Sequence, residues 1–344
     1  MENASDVLNR LTKAKRSQSE LLPIVLQADP ATGQKVKWCG SWLHFREWQN
    51  TGDTRLLNAN FCKRHLLCKA CAVRRAAKMN AAYLPKVEQV ITEKPGLIPV
   101  MITLTLKNRE NLIEAKLLLQ DSIKAMYAAA RKAAKGNERH QPIEWNKVEG
   151  ALNAIEVTYG KDGWHVHCHA FALLTDYIDR EKLSDEWLRF TGDSFIVHVR
   201  KCDQGDAKAG LIEVLKYSCK FSSMTPQQVW EMHTVFYGAS RLINPMGCLR
   251  GVKVGPLESD DIEDQSGAYR DFLAIWLHTE GKFRIEYLDE DDPTEPQITL
   301  IPRSSDELPE LTREAADMKA YRANPLPRFD GPIVVPPPDD DIPF

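Results

Sequence analysis

The chain has 344 residues, of which 43% are hydrophobic and 27% charged, with a formal net charge of −3. This composition is that of a folded, water-soluble protein with room for two domains. The first 20 residues are polar and charged, and no segment is long and apolar enough to predict a signal peptide or a membrane-spanning helix, so we expect a cytoplasmic protein without a membrane partner.

The charge is unevenly distributed along the chain. Residues 256–344 hold 8 Lys and Arg against 22 Asp and Glu, a local net charge of −14, whereas residues 1–255 carry +11. A basic body followed by an acidic region is typical of proteins that bind nucleic acid. A solvated surface with an acidic appendage would show the same charges.

Residues 1–35 form an N-terminal extension for which the sequence predicts little structure. A short amphipathic helix at most precedes a linker that is interrupted by Pro23, Pro30 and Gly33. We therefore expect the folded part of the chain to begin near residue 36.

A cysteine-bearing module follows over residues 36–90. A Cys-x-x-Cys turn places two thiolates where one tetrahedral Zn²⁺ can bind both, so Cys68 and Cys71 are the stronger pair of zinc ligands. The candidates to complete a structural zinc site are Cys62 and Cys39, with His65 and His44 as substitutes. Free cysteines in a small apolar subdomain are the alternative, since a second Cys-x-x-Cys is lacking.

The segment after these cysteines, residues 72–84, is composed of strong helix formers. Arg74, Arg75 and Lys78 form a basic stripe along the predicted helix, which suits contacts with DNA phosphates. A solvated helix face would have the same sequence.

The central region, residues 95–255, contains both strand and helix patterns. The predicted strands are 100–106, 154–159, 164–171 and 194–200, and the predicted helices are 110–135, which Gly136 and Asn137 end, and 207–221. The Gly-containing loop 160–163 joins two of the strands and predicts a β-hairpin.

The second strand of this hairpin carries His165, His167 and His169. Alternate residues of a strand point to the same side, so the three imidazoles share one face and the residues between them face the core. If Tyr159 pairs with Trp164 across the loop, Glu156 lies opposite His167, whereas a one-residue slip would move it to the other face. Two imidazoles and a carboxylate suit Mn²⁺ or Mg²⁺ better than a structural zinc.

The helix predicted at 207–221 has one polar face. Helical spacing places Glu213, Lys216, Tyr217 and Lys220 together on it. A tyrosine between two lysines can lose its proton more easily and can hold a phosphate between cations. An ordinary surface tyrosine in a charged cluster is the alternative.

In combination these segments resemble the plasmid rolling-circle replication initiators, a branch of the HUH endonucleases. The resemblance extends over residues 36–255 and rests on the cysteine run with its Arg-rich helix, the strand 102–106, the hairpin 156–171, the Lys216-Tyr217-x-x-Lys220 helix and the closing segment 237–247. It implies an α+β fold in which helices flank a central antiparallel β-sheet, with the nicking and joining domain at residues 95–255.

The resemblance also implies roles for individual residues. His167 and His169 would bind a divalent metal, Mg²⁺ or Mn²⁺, with Glu156 as the third ligand and His165 in reserve. Tyr217 would attack single-stranded or hairpin origin DNA to give a 5′-phosphotyrosine link and a free 3′-OH. Glu213 would activate water for the terminating cleavage and Lys220 would bind the phosphate. Lys216 and Arg241 are expected to contact DNA.

Two alternatives remain at this point. One is another HUH enzyme, a relaxase or a transposase, against which the cysteine module and the closing segment argue. The other is a non-catalytic, zinc-containing DNA-binding regulator. That interpretation accounts for the cysteines and the basic body, but it leaves Glu156, the aligned histidines and the Tyr217 helix as coincidence.

The C-terminal part of the chain is acidic. Residues 256–323 predict a small strand or helix near 272–287 and no chemistry, and the Pro-rich residues 324–344 predict a disordered tail. The last six residues resemble the C-terminal tip of bacterial single-stranded DNA-binding protein, and they are Asp339, Asp340, Asp341, Ile342, Pro343 and Phe344. This resemblance implies a host replication helicase, or another protein that recognises that tip, as a partner.

Overall fold

The computed structural model describes residues 4–18, 21–136, 141–202, 207–215, 224–236, 242–260 and 267–288. Within these residues the fold is α+β, as the resemblance implies, but it contains two antiparallel sheets where one central sheet was expected. The helices are α1 (Ala4–Gln18), α2 (Leu22–Ala28), α3 (Pro30–Lys37), α4 (Lys69–Glu93), α5 (Leu112–Ala134), α6 (Arg180–Thr191), α7 (Ala207–Leu215) and α8 (Pro226–Phe236). The strands are β1 (Trp42–Trp48), β2 (Thr54–Ala59), β3 (Ile98–Thr105), β4 (Val148–Gly160), β5 (Gly163–Leu174), β6 (Val197–Lys201), β7 (Ile243–Gly247), β8 (Tyr269–Leu277) and β9 (Lys282–Tyr287). None of these helices is long and apolar enough to cross a membrane.

The first sheet joins the cysteine module to the C-terminal region. Its strand order is β2-β1-β8-β9, so the hairpin β8-β9 extends the sheet that β1 and β2 begin. Phe45 lies opposite Phe272 in this pairing, and their stacked rings are 5.2 Å apart in the core. The small strand or helix predicted near 272–287, to which the sequence assigned no chemistry, is therefore the hairpin β8-β9 that completes the first sheet.

The second sheet has the strand order β6-β3-β5-β4-β7, with the histidine-bearing strand β5 at its centre. The hairpin register is the predicted one, because Tyr159 pairs with Trp164. Gly163 has φ +95°, and a Cβ at this position would lie 2.5 Å from the carbonyl oxygen of Arg109. The turn therefore requires glycine, and it fixes the register of the whole hairpin.

The two faces of the second sheet pack against different helices. On one face, Ile102, Leu104, Val166, Cys168 and Ala170 are buried in the cluster that includes the apolar residues of α5 and α6. On the other face, apolar residues at one end of the strands join α4 and α7 in a second cluster. The polar residues of β3, β4 and β5 that share this second face lie beyond that cluster.

The described part of the N-terminal extension is helical, and Pro23, Pro30 and Gly33, which predicted a linker, lie within helices. Residues 4–18, 22–28 and 30–37 form three helices, and Pro23 and Pro30 lie in the first turns of α2 and α3. Proline is tolerated at these positions because its missing amide hydrogen would have no helical partner. Gly33 permits the close contact of α2 with α3, since a Cβ there would lie 2.5 Å from the side chain of Leu26.

Several other boundaries differ from the predicted ones. The helix expected at 72–84 extends over Lys69–Glu93 and contains Pro85. The helix α8 was not predicted, although Thr225 and Gln228 form the reciprocal hydrogen bonds of a capping box at its start. The predicted helix 207–221 is described as far as Leu215.

Candidate functional site

The histidines of β5 lie where strand alternation places them. His165, His167 and His169 are half-buried, whereas Val166, Cys168 and Ala170 between them are buried on the opposite face.

The pairing of β4 with β5 places Glu156 opposite His167, as the hairpin register predicts. The Nε2 atom of His169 lies 2.7 Å from Oε2 of Glu156, with these side chains 31% and 27% exposed. One carboxylate and two imidazoles therefore share this face of the sheet.

Threonines of the neighbouring strand β3 orient two of the imidazoles. The hydroxyl Oγ1 of Thr105 lies 3.0 Å from Nδ1 of His167, and Oγ1 of Thr103 lies 3.1 Å from Nδ1 of His169. These contacts occupy the Nδ1 atoms and leave Nε2 of each ring as the nitrogen for a ligand, although Nε2 of His169 is at present hydrogen-bonded to Glu156. The two threonines were not recognised in the sequence, since their place beside the histidines depends on the long-range pairing of β3 with β5.

His165 has a different environment. Its Nδ1 atom lies 2.5 Å from Oδ1 of Asn108, and its ring packs edge-on against that of His167 with centroids 4.0 Å apart. Burial, and then the neighbouring His165 and His169, lower the pKa of His167 to about 4. His167 is therefore neutral near pH 7, which is the form that ligates metals.

The donor atoms of the histidine face suit a hard divalent cation, but they are spread across two strands. Among the described residues, the ligand atoms that all lie within 4.8 Å of one another belong to the four cysteines and not to this face. Metal binding by Glu156, His167 and His169 therefore stays a prediction.

The helix α7 approaches this face from the side of β6. The Glu213 carboxylate is exposed and forms an ion pair with Arg200 of β6. Leu215, the last described residue of α7, lines a small cavity together with Ile243. Ile243 pairs with Ala154, which in turn lies opposite His169. The end of α7 therefore lies near the strand β5 that carries His165, His167 and His169.

Four of the predicted site residues lie outside the described residues. They are Tyr217, Lys216, Lys220 and Arg241. The six residues of the C-terminal tip, 339–344, also lie outside them.

The four cysteines converge as predicted. The sulfur atoms of Cys39, Cys62, Cys68 and Cys71 all lie within 4.8 Å of one another, with 3.3 Å between those of Cys39 and Cys71. Hydrogen bonds from the other three cysteines lower the pKa of the Cys68 thiol. The cluster can hold a metal ion such as Zn²⁺, for which four thiolates are a standard ligand set.

The residues around the cluster include two histidines that were candidate zinc ligands and one lysine that was not predicted. Neither His65 nor His44 belongs to the group, and His44 lies 3.5 Å from the Asp271 carboxylate. Lys15 of α1 donates a hydrogen bond of 2.6 Å to the carbonyl of Cys39. Sequence reasoning missed this lysine, which places a cation beside the thiolates.

The basic residues at the start of α4 do not form an exposed stripe. The guanidinium of Arg74 and the ammonium of Lys78 lie 2.7 and 2.9 Å from the same Asp260 oxygen, and their side chains are only 12% and 10% exposed. They attach the segment near Asp260 to α4, which leaves them little capacity for DNA. Arg75 instead lines the small cavity that contains Leu215.

The fold and the site define an α+β protein with a cysteine cluster that can hold a metal ion and a second candidate metal centre on its central sheet. The family model described as "Replication protein" matches residues 53–272. The chain therefore belongs to the replication protein family, which identifies it as a plasmid replication initiator. It is also similar to "Protein rep" of Streptococcus pneumoniae serotype 2 (strain D39 / NCTC 7466), with 25% identity over 284 residues that cover 74% of this chain and 84% of that protein. No solved structure matches.

Proposed function

We propose that this protein initiates rolling-circle replication by nicking single-stranded or hairpin origin DNA in a metal-dependent reaction. The observation that carries the proposal is the convergence of Glu156, His167 and His169 on one face of the central sheet. Family membership supports the replication role and favours it over a relaxase or a transposase. A non-catalytic regulator would not need this arrangement.

Mg²⁺ or Mn²⁺ is the proposed cofactor on this face, with Glu156, His167 and His169 as its ligands. A bound divalent cation would withdraw charge from the non-bridging oxygens of the scissile phosphate. The hydroxyls of Thr105 and Thr103 support this role because they hold the two imidazoles in one orientation.

Tyr217 is the proposed nucleophile. Its phenolate oxygen attacks the scissile phosphorus, the bond from phosphorus to the 3′ oxygen breaks, and the 3′ oxygen takes up a proton. The products are a 5′-phosphotyrosine ester and a free 3′-OH that primes synthesis. The end of α7 at Leu215, two residues earlier and near the row of His169, supports this assignment.

Three basic residues are proposed to hold the strand. Lys220 would bind the scissile phosphate, and Lys216 and Arg241 would contact the flanking DNA.

Glu213 is the proposed general base of the terminating cleavage. It would accept a proton from the water that attacks the second scissile phosphate, so that a second tyrosine is not needed. Glu213 is four residues before Tyr217 in the sequence, and its exposed carboxylate forms an ion pair with Arg200 of β6, which supports this role.

The nicking proposal is tested with the full-length protein, the single-stranded plasmid origin and Mn²⁺ or Mg²⁺. We expect a covalent adduct that peptide mass spectrometry maps to Tyr217 and that chelation prevents. Tyr217→Phe should lose both nicking and the adduct but still bind origin DNA. Tyr177→Phe is the matched control, because Tyr177 is an exposed tyrosine of the same domain, 46% accessible, and should keep full activity. An adduct in Tyr217→Phe would refute the assignment.

A separate proposal concerns the C-terminal tip. The resemblance of residues 339–344 to the tip of single-stranded DNA-binding protein suggests that this segment recruits a host helicase or another tip-binding replication protein. Adding one residue after Phe344, or deleting Phe344, should abolish that contact and leave nicking unchanged. Binding of the same partners by both variants would refute the proposal.

A further inference from the structure

The last turn of α1 binds the backbone of the cysteine module at three points. The ammonium of Lys15 donates a hydrogen bond of 2.6 Å to the carbonyl of Cys39. The buried side-chain amide of Gln18 donates to the carbonyl of Leu67 over 2.9 Å and accepts from the backbone amide of Lys69 over 2.6 Å. These two partners flank the first cysteine of the Cys-x-x-Cys turn. The helix α1, to which the sequence assigned no role, is therefore part of the surroundings of the cluster.

Two contacts fix the position of the Lys15 ammonium. Besides its hydrogen bond to Cys39, Nζ lies 4.9 Å from the centroid of the Trp276 ring, and this indole is buried. The face of an aromatic ring attracts a cation most strongly where water is excluded. Lys15 also lines the same cavity as Cys39 and Cys68, so the cation and two of the cysteines border one space.

The charge of Lys15 is opposite to that of the thiolates beside it. Burial lowers the pKa of Lys15, whereas each of the four cysteines raises it. Four thiolates carry two charges more than one Zn²⁺ neutralises, so a metal-bound cluster of this composition has an excess of negative charge. Buried charge is costly unless an opposite charge lies beside it, and the ammonium provides one.

We infer that Lys15 is a positioning residue of the four-cysteine cluster, whose ammonium offsets part of the negative charge of the metal-bound thiolates and so raises the affinity for Zn²⁺. This role goes beyond the proposed nicking function and does not depend on it. It makes the N-terminal helix a functional part of the metal site. The neighbouring Arg16 has a different contact, since it donates a hydrogen bond of 2.8 Å to the carbonyl of Gly281 and attaches α1 to the turn between β8 and β9.

The test measures the Zn²⁺ affinity of the full-length protein at neutral pH by competition with a chelator of known affinity. Lys15→Met keeps an unbranched side chain but removes its charge, and it should weaken Zn²⁺ binding about 10–100-fold. Lys15→Arg keeps the charge and should recover most of the affinity. Lys13→Met is the matched control, because Lys13 is an exposed lysine of the same helix, and its affinity should equal that of the wild type.

Thermal unfolding with and without metal separates this role from a purely structural one. Lys15→Met should lower the melting temperature of the Zn²⁺-loaded protein, because the charge that Lys15 offsets is that of the metal-bound cluster. With excess chelator, the melting temperatures of the wild type and of Lys15→Met should differ much less. Loss of the hydrogen bond to Cys39 alone would lower both melting temperatures equally.

A second background keeps the test decisive if the chelated protein does not fold. Cys62→His replaces one thiolate by a neutral imidazole, which is also a standard zinc ligand, and so halves the excess charge. In this background the factor by which Lys15→Met weakens Zn²⁺ binding should be at least about threefold smaller than in the wild type, because the two sites are coupled through charge.

Three results would overturn the inference. They are a wild-type Zn²⁺ affinity in Lys15→Met, an equal loss of melting temperature with and without metal, and the absence of Zn²⁺ binding by the wild-type protein. None of these measurements involves DNA cleavage. Failure of the proposed nicking function would therefore leave the role of Lys15 intact, and failure of this role would leave the nicking proposal intact.

Discussion

The Asp260 carboxylate connects α4 to the first sheet, and its removal should destabilise the protein strongly. It lies 2.7 Å from Arg74 Nη2 and 2.9 Å from Lys78 Nζ, and it accepts a hydrogen bond of 3.0 Å from the Leu56 amide. Burial alone would raise the pKa of Asp260, but these three donors outweigh it and lower the pKa. The carboxylate therefore remains charged throughout the neutral range.

The size of the expected loss of stability follows from the two buried cations that Asp260→Ala would leave without a counter-ion. Two cations that are each close to nine-tenths buried would lose their counter-ion, and breaking a buried pair costs about 3–5 kcal/mol. The carboxylate is itself 25% exposed, which allows water to compensate in part and favours the lower end, about 3 kcal/mol. A loss of this size changes the unfolding equilibrium by about two orders of magnitude.

Urea denaturation at pH 7, followed by circular dichroism, measures this change as a shift of the midpoint with an unchanged slope. Asp176→Ala is the matched control, because Asp176 is 76% exposed and 3.8 Å from Lys147, and it should cost less than about 0.5 kcal/mol. A variant that replaces Asp260, Arg74 and Lys78 together by apolar residues should recover much of the loss. A cost below about 1 kcal/mol for Asp260→Ala would refute the reasoning.

Three further changes test the other sites. Cys71→Ser should abolish the binding of one Zn²⁺ per chain, measured by elemental analysis, and a chelator should lower the melting temperature of the wild-type protein but not of the variant. Thr105→Val removes the hydroxyl 3.0 Å from His167 and should weaken Mn²⁺ binding about 10–100-fold, measured by calorimetry, whereas equal affinities would contradict an orienting role. Burial alone would raise the pKa of Asp271, but its contacts with His44 and Arg46 outweigh burial and lower the pKa to about 2. The charged carboxylate should therefore contribute about 2 kcal/mol to the free energy of unfolding above pH 4, and progressively less as the pH falls toward 2. The stability difference between wild type and Asp271→Asn should therefore be largest near pH 7 and about halved at pH 3, and a difference independent of pH would argue against this contribution.

The sequence predicted the features that local geometry determines. The loop predicted at 160–163 contains the turn, in which Gly160 pairs with Gly163, and this turn fixes the pairing of Tyr159 with Trp164. Strand alternation then places Glu156 beside the histidines. The cysteines converge as expected: three of them lie within ten residues, and a tetrahedral Zn²⁺ site would need a fourth ligand close to these three.

Other features depend on contacts between distant segments, which periodicity does not encode. The carboxylate of Asp260, 186 residues further along the chain, pairs with Arg74. Arg74, which the sequence predicted on an exposed basic stripe, is therefore part of an internal ion pair. Thr103 and Thr105 support the histidines through the pairing of β3 with β5. The prolines of the N-terminal extension predict a linker, although proline is equally typical of a first helical turn, where the structure places them.

The pairing of β1 with β8 has a consequence for how the protein is made. Arg46 and Asp271 are 225 residues apart in sequence, and the whole second sheet lies between them. During synthesis, the edge of β1 that β8 will cover stays unsatisfied until most of the chain has left the ribosome, which exposes it to pairing with other molecules. A truncation before residue 269 would leave that edge exposed permanently. We therefore expect such fragments to aggregate even though they retain every residue proposed for nicking.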